Sequence, residues 1–315
     1  MLLTPVLLLV AGLALLYFGG EALVWGAYSM ARRMGISPLA IGLTVVAFGT
    51  SMPELVVSID AARAGADDIS LGNVVGSNIA NIALILGLAA FISPTVAESK
   101  IVRLDSPLMI IATLVLLLML GNGVLSRPEG LVLLAGLVAF TTFTFWQANR
   151  QSKLKAFADE TTGLMPSTTP LKTGALILAG LALLVAGGNL VVDGAVTIAT
   201  MLGLSQATIG LTIVAVGTSL PELSTSVIAA LRRQGDIAIG NVVGSNIFNI
   251  LGILGITASF LPLERGAISW LDLGVMTALA VLLPLLLLFR KELRRPEGLL
   301  LLMVFVAYTT WLLTR

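Results

Sequence analysis

The chain has 315 residues, of which 57% are apolar and 11% charged, with a mean hydropathy of +1.03. A soluble domain carries roughly a quarter charged residues, so most of this surface is expected to face lipid. A net charge of +1 leaves no footprint for nucleic acid, and the absence of cysteine and histidine excludes disulfides, thiolate metal sites and every Ser-His or Cys-His catalytic arrangement.

Taken in chain order, apolar runs of about 20 residues predict ten spans at 2–31, 37–64, 69–92, 104–122, 127–147, 171–200, 205–232, 236–260, 268–290 and 296–314. The first lacks a basic region ahead of it and is about twice the length of a signal peptide's apolar segment, so it reads as a retained helix. Between the fifth and sixth lies the one polar stretch of any length, 148–170, with Arg150, Lys153, Lys155, Asp159 and Glu160 followed by Pro166 and Pro170. The expected organisation is a first five-helix repeat at 1–147, a linker at 148–170 and a second five-helix repeat at 171–315.

The basic residues sort by side. Arg63, Arg127, Arg265 and Arg315 fall on the face that holds both termini. The other fourteen, among them Arg32, Arg33, Lys100, Arg103, Lys172, Arg232, Arg233, Arg290, Lys291, Arg294 and Arg295, fall on the opposite face with the linker. The excess of Lys and Arg on cytoplasmic loops predicts both termini outside and the linker in the cytoplasm, with the basic clusters as charge anchors at the lipid surface.

The segment 42–94 aligns without a gap to 210–262 at an offset of 168, with 31 of 53 positions identical. Upstream, Gly20, Gly26 and Gly35 meet Gly188, Gly194 and Gly203 in the same register. This is an internal duplication. Five helices per copy would turn the second copy upside down, a plan used by secondary transporters with interrupted helices meeting at mid-bilayer. The expected fold class is therefore an all-α membrane protein of ten helices in two inverted five-helix repeats.

The second span holds Gly49-Thr50-Ser51-Met52-Pro53-Glu54 and the seventh Gly217-Thr218-Ser219-Leu220-Pro221-Glu222. Proline removes a backbone donor and glycine weakens the helix before it, so both helices should break there. A break frees carbonyls, here expected to include those of Ala47 and Ala215, in a place with little water. Steps of three and four residues put Ala47, Thr50, Ser51 and Glu54 on one face. Asn73, Ser77 and Asn81 make a similar stripe on the third span, and Asn241, Ser245 and Asn249 on the eighth. Carboxylate, hydroxyl, amide and carbonyl oxygens suit calcium or sodium rather than zinc or copper. A carboxylate at the bilayer centre costs at least roughly 2.5–3.5 kcal/mol, which a cation between Glu54 and Glu222 would offset.

The paired GTS-x-PE and GN-x-x-GSN motifs resemble the alpha-repeats of the sodium/calcium exchanger family, within the calcium/cation antiporter superfamily. The resemblance covers essentially the whole chain. It implies alternating access, about three sodium ions exchanged for one calcium, and a metal site of the Ala47 and Ala215 carbonyls with Thr50, Ser51, Glu54, Ser77, Thr218, Ser219, Glu222 and Ser245, and with Asn81 and Asn249 nearby. Sodium and calcium are then substrates; no cofactor and no protein partner is expected. Some microbial members carry an aspartate where this chain has Asn249, which bears on stoichiometry. The linker is too short for the calcium-sensing domain of animal exchangers.

Ser51-x-x-Glu54 and Ser219-x-x-Glu222 also fit capping boxes. Gly72-x-x-x-Gly76 and Gly240-x-x-x-Gly244 read as close-packing positions. Asp60 has Ile228 as its counterpart and points to the outer mouth, while Glu21 and Asp193 read as packing groups. A proton/calcium exchanger of the same superfamily typically carries a different motif and often a histidine. An intramembrane hydrolase fails on inventory, with no histidine, no cysteine and no aspartate pair on neighbouring helices at matching depth, and a channel would not call for inverted duplication.

Overall fold

The structure, a computed structural model, describes residues 3–155, 169–202, 215–288 and 290–314, with the side chains of 151–155 and 215 outside that description. In chain order the helices are α1 (Leu3–Met34), α2 (Pro38–Thr50), α3 (Met52–Arg63), α4 (Asp67–Ile92), α5 (Ile101–Asn122), α6 (Arg127–Lys155), α7 (Pro170–Met201), α8 (Ala215–Thr218), α9 (Leu220–Leu231), α10 (Gly235–Phe260), α11 (Trp270–Leu288) and α12 (Arg295–Thr314). Among the described residues, eight are long and apolar enough to cross a membrane, and α2 with α3, bent by 44°, makes a ninth. Their ends fall within a few residues of the predicted spans except at α6, which runs on to Lys155, eight residues past 147 and into the expected linker. Of the seventh expected span, 205–214 lies outside the described residues, as do Gly203 and most of the linker.

Burial separates centre from periphery. Of the most apolar stretch of α4, 72% is buried in protein, and of α10, 94%, against 11–39% for the other single-helix spans. These two helices carry the GN-x-x-GSN motifs, so the polar residues of both are held inside the protein rather than against lipid. One apolar core of α4, α5, α10 and α11 surrounds them; a smaller one lies under α1 and α2.

Helices α1 and α7 cross antiparallel through glycines seven residues apart. A Cβ on Gly12 would meet the Gly187 carbonyl at 2.8 Å, and one on Gly19 the Gly180 carbonyl at 3.0 Å. In return, Gly187 faces the Gly12 carbonyl at 2.8 Å, Gly180 the Gly19 carbonyl at 2.9 Å, and Gly194 the Pro5 carbonyl at 2.8 Å. Small residues let backbones approach this closely where lipid supplies no hydrophobic drive. Gly12 and Gly19 lie 168 positions before Gly180 and Gly187, so equivalent helices of the two copies run in opposite directions here.

Two short antiparallel ribbons tie the loops. Strand β1 (Thr95–Val96) pairs with β4 (Glu292–Leu293), and β2 (Val124–Leu125) with β3 (Leu263–Glu264). Each ribbon joins loops that the charge count puts on the same side of the membrane. Position 65 has φ 71° and position 233 has φ 58°; position 123 has φ 88° and position 291 has φ 52°. Both pairs are 168 apart, yet the first copy uses Gly65 and Gly123 and the second Arg233 and Lys291. Left-handed backbone costs a non-glycine residue about 1–2 kcal/mol, less glycine's extra entropy of roughly 0.5–1 kcal/mol. Arg233→Gly should therefore raise the thermal midpoint in detergent by an amount worth about 0.5–1 kcal/mol, and Gly65→Arg should lower it similarly.

A further feature has no signal in composition. Helices α4 and α10 each contain a π-helical segment, Asn81–Leu86 and Asn249–Leu254, again 168 apart. Each begins at a candidate site asparagine, in keeping with the tendency of π turns to mark functional positions.

Candidate cation site

The two breaks form as the prolines require. Pro53 and Pro221 occupy the first turns of α3 and α9, and the chain turns at Ser51 (φ −84°, ψ 9°) and Ser219 (φ −88°, ψ 8°). Neither serine makes a side-chain cap to its own helix, so the capping-box reading fails. Their hydroxyls cross to the other copy instead. Ser51 Oγ donates to Glu222 Oε1 at 2.8 Å. Ser219 Oγ lies 3.1 Å from Glu54 Oε1 and 3.3 Å from Ser77 Oγ, and its single hydrogen serves one of them. The exchange brings together the two carboxylates, each 1% exposed.

Two asparagines brace the breaks. Asn73 Nδ2 donates to the Glu54 carbonyl (3.0 Å) and to Ser58 Oγ (2.9 Å). Its counterpart Asn241 does the same with the Glu222 carbonyl (3.4 Å) and Ser226 Oγ (3.0 Å). Each amino group is thereby spent on one carbonyl and one serine, and Asn241 Oδ1 lies 3.2 Å from Thr50 Oγ1. The stripe drawn along each helix therefore divides into a bracing asparagine and the site residues proper.

The carbonyl of Ala47 is not freed by the break as expected. It accepts the Ser51 amide at 3.1 Å, because the helix keeps its hydrogen bonds up to Ser51 and opens only beyond it. Its second lone pair is still open to other partners, with Thr50 Oγ1 at 3.4 Å. Ala215 starts the short helix α8. Thr50 is fully buried and Thr218 half-buried, so the two copies differ here.

What remains is a set of oxygens. Of the twelve buried side-chain oxygens without a hydrogen-bond partner among the described residues, five fall on the candidate ligands: Glu54 Oε2, Glu222 Oε2, Asn81 Oδ1, Asn249 Oδ1 and Ser245 Oγ. Orphaned buried acceptors are rare because each costs about 1–3 kcal/mol. Five of them, two from carboxylates, have the chemistry of a site for a hard cation, with oxygen donors and no nitrogen or sulfur. No cluster of three or more acidic, His or Cys groups occurs among the described residues, so the charge available is that of Glu54 and Glu222.

The other acidic residues stay apart. Asp60 and Asp193 are exposed. Glu21 pairs with Arg232 at 2.7 Å near the end of α9. Of the glycine pairs, Gly240 and Gly244 are close-packing positions: a Cβ on Gly244 would meet the Leu43 carbonyl at 2.5 Å and Ala47 Cβ at 2.8 Å. Gly72 and Gly76 meet nothing closer than 3.4 Å among the described residues; the equivalents of Leu39 and Leu43 in the other copy lie outside them. Residues missed in the sequence reading are Asn78 and Asn246, which join the copies at the centre of the protein.

Comparison with known proteins decides the family. The model of the family described as sodium/calcium exchanger protein matches residues 4–146 and again 172–314. The chain belongs to the sodium/calcium exchanger family. CaxA of Alkalimonas amylolytica is 42% identical to it over 98% of both chains. The sodium/calcium exchanger MaX1 of Methanosarcina acetivorans is 35% identical over 96% of both. The solved structure of the sodium-calcium exchanger NCX_Mj soaked with zero Na+ and Ca2+ superposes with a TM-score of 0.86 at 33% identity, covering 99% of this chain and all of that one. The chain is thus a multi-pass membrane protein built of helices, in a family of antiporters.

Proposed function

We propose that this chain is a secondary active antiporter that exchanges sodium for calcium by alternating access, with about three sodium ions per calcium. The observation that carries the reading is the reciprocal bridge at mid-protein: each buried glutamate is hydrogen-bonded by the other copy's serine and keeps one oxygen unpartnered. Ten helices in two inverted repeats, 1–147 and 171–315 around a linker at 148–170, fit the antiparallel crossing of α1 and α7 and the family matches on either side of the linker. The proposed ligands are Ala47, Thr50, Ser51, Glu54, Ser77, Asn81, Ala215, Thr218, Ser219, Glu222, Ser245 and Asn249. The chain would reside in the cell membrane with both termini outside, the basic loops and linker facing the cytoplasm.

The deciding experiment is calcium uptake into proteoliposomes with and without an outward sodium gradient at fixed pH. Uptake that follows the sodium gradient supports the proposal; uptake that ignores sodium and follows a proton gradient assigns the chain to proton/calcium exchange instead. Stoichiometry is read from voltage. Three sodium ions out for one calcium in moves one positive charge outward, so an inside-positive potential favours uptake. At 100 mV the effect is about 2.3 kcal/mol, or an accumulation ratio shifted about 50-fold. Two sodium ions per calcium would leave the ratio unmoved.

A further inference from the structure

The second asparagine of each GN-x-x-GSN motif, Asn78 and Asn246, lies outside the proposed ligand set. Both are buried, at 1% and 2% exposure. Asn78 Nδ2 donates to the Asn246 carbonyl at 3.5 Å, and Asn246 Nδ2 donates to the Asn78 carbonyl at 3.3 Å. A main-chain carbonyl only accepts, so these bonds fix which end of each amide is nitrogen. The opposite ends are therefore oxygens. Asn78 Oδ1 accepts from Asn249 Nδ2 at 3.0 Å, and Asn246 Oδ1 accepts from Asn81 Nδ2 at 3.0 Å. The amino groups of Asn81 and Asn249 are thus engaged in the network, and their oxygens are left as two of the five buried, unpartnered acceptors.

We infer that Asn78 and Asn246 are positioning residues that hold the Asn249 and Asn81 amides with oxygen, not nitrogen, presented to the transported cation. The inference rests on the cation site proposed above. An amide carries an acceptor and a donor of nearly the same shape. Turned over, Asn81 or Asn249 would aim a hydrogen-bearing nitrogen at a positive ion. The assignment ends on backbone atoms that cannot flip, and it is made across the seam: the first copy's Asn78 orients the second copy's Asn249, and Asn246 orients Asn81. Metal sites depend on such outer partners, whose loss typically costs 10–100-fold in affinity.

The pairing gives a test that a general packing role would not pass. Calcium KM is measured by uptake into sodium-loaded proteoliposomes for Asn78→Ala and Asn246→Ala, alone and combined with Asn81→Ala and Asn249→Ala. Each positioning variant is expected to raise KM about tenfold or more while the maximal rate changes less. Asn78→Ala should add nothing to Asn249→Ala yet multiply with Asn81→Ala, and Asn246→Ala should show the reverse pattern. Asn78→Asp, which keeps an acceptor toward Asn249 but loses the donor to the Asn246 carbonyl, should recover only part of the loss, and Asn78→Leu fills the volume should the alanine variant not fold. Equal increments in every background, or a KM within twofold of wild type, overturns the inference alone. If Asn81→Ala and Asn249→Ala leave KM unchanged, the inference falls together with those two ligand assignments. Loss of sodium dependence in the unmutated protein is the separate failure of the antiport reading.

Discussion

Glu54→Gln and Glu222→Gln should each reduce sodium-driven calcium uptake by about 100-fold or more. The amide keeps the shape and an acceptor for the serine that crosses from the other copy, Ser219 for Glu54 and Ser51 for Glu222. What it removes is one of the two formal charges among the five unpartnered oxygens. Breaking a buried charge pair costs about 3–5 kcal/mol, and at 1.4 kcal/mol per tenfold that is roughly 100- to 4,000-fold in binding. A second readout separates loss of site from loss of fold. Without calcium, two carboxylates held close in a buried place repel one another, so either glutamine variant should melt no lower than wild type. With calcium at 100 times its Kd, wild type should gain about 2.7 kcal/mol and the variants close to none. Variants that still take up calcium, or are still stabilised by it, would remove both glutamates from the site.

Gly187→Leu should be the most damaging substitution away from the site. The missing side chain is what allows α1 and α7 to touch: a Cβ there would lie 2.8 Å from both the Gly12 carbonyl and the Leu16 amide, and 3.0 Å from Leu15 Cβ. Two of those three obstacles are backbone and cannot turn away. Overpacking costs about 1–3 kcal/mol where side chains can adjust, and the larger end of that range or more is expected here. The control lies on the same helix. A Cβ on Gly174 meets nothing within 4 Å among the described residues, so Gly174→Leu should leave the thermal midpoint in detergent near wild type. Equal midpoints for the two variants would show that the crossing is not close.

Much of this was legible in the sequence because lipid leaves little room for ambiguity. A glutamate after Gly-Thr-Ser-x-Pro inside an apolar run has few affordable environments, and its recurrence at 54 and 222 located both breaks. For the same reason the spans lying within the described residues were readable to within a few residues, apart from the eight-residue extension of α6 into the polar stretch. Face-counting along a single helix reached its limit at Asn78, which sits next to Ser77 and so about 100° away from it on the helix. Its partners, Asn246 and Asn249, come from the other copy, and nothing in one helix predicts a bond across the seam. The capping reading erred in the same direction, since Ser51 and Ser219 satisfy the opposing glutamate instead of their own helix start. Left-handed backbone was invisible at Arg233 and Lys291 because both positions carry side chains that disfavour it. Their glycine counterparts at 65 and 123 carried the hint.

The π segments in α4 and α10 let each rod serve two masters. A π turn takes up one residue more than an α turn, so everything beyond it is set back by about 100° relative to an unbroken α-helix. Upstream, Ser77 and Ser245 belong to the oxygen-lined centre; downstream, Gly87 is pressed against Leu301 and Gly298, and Gly255 against Leu134 and Gly130. Removing a single residue from 82–86 or 250–254 would restore a regular winding. Because that residue is what the wider turn absorbs, such a deletion should keep the outer seats on α12 and α6 in line with the inner one, whereas a regular winding at the present length would turn them away.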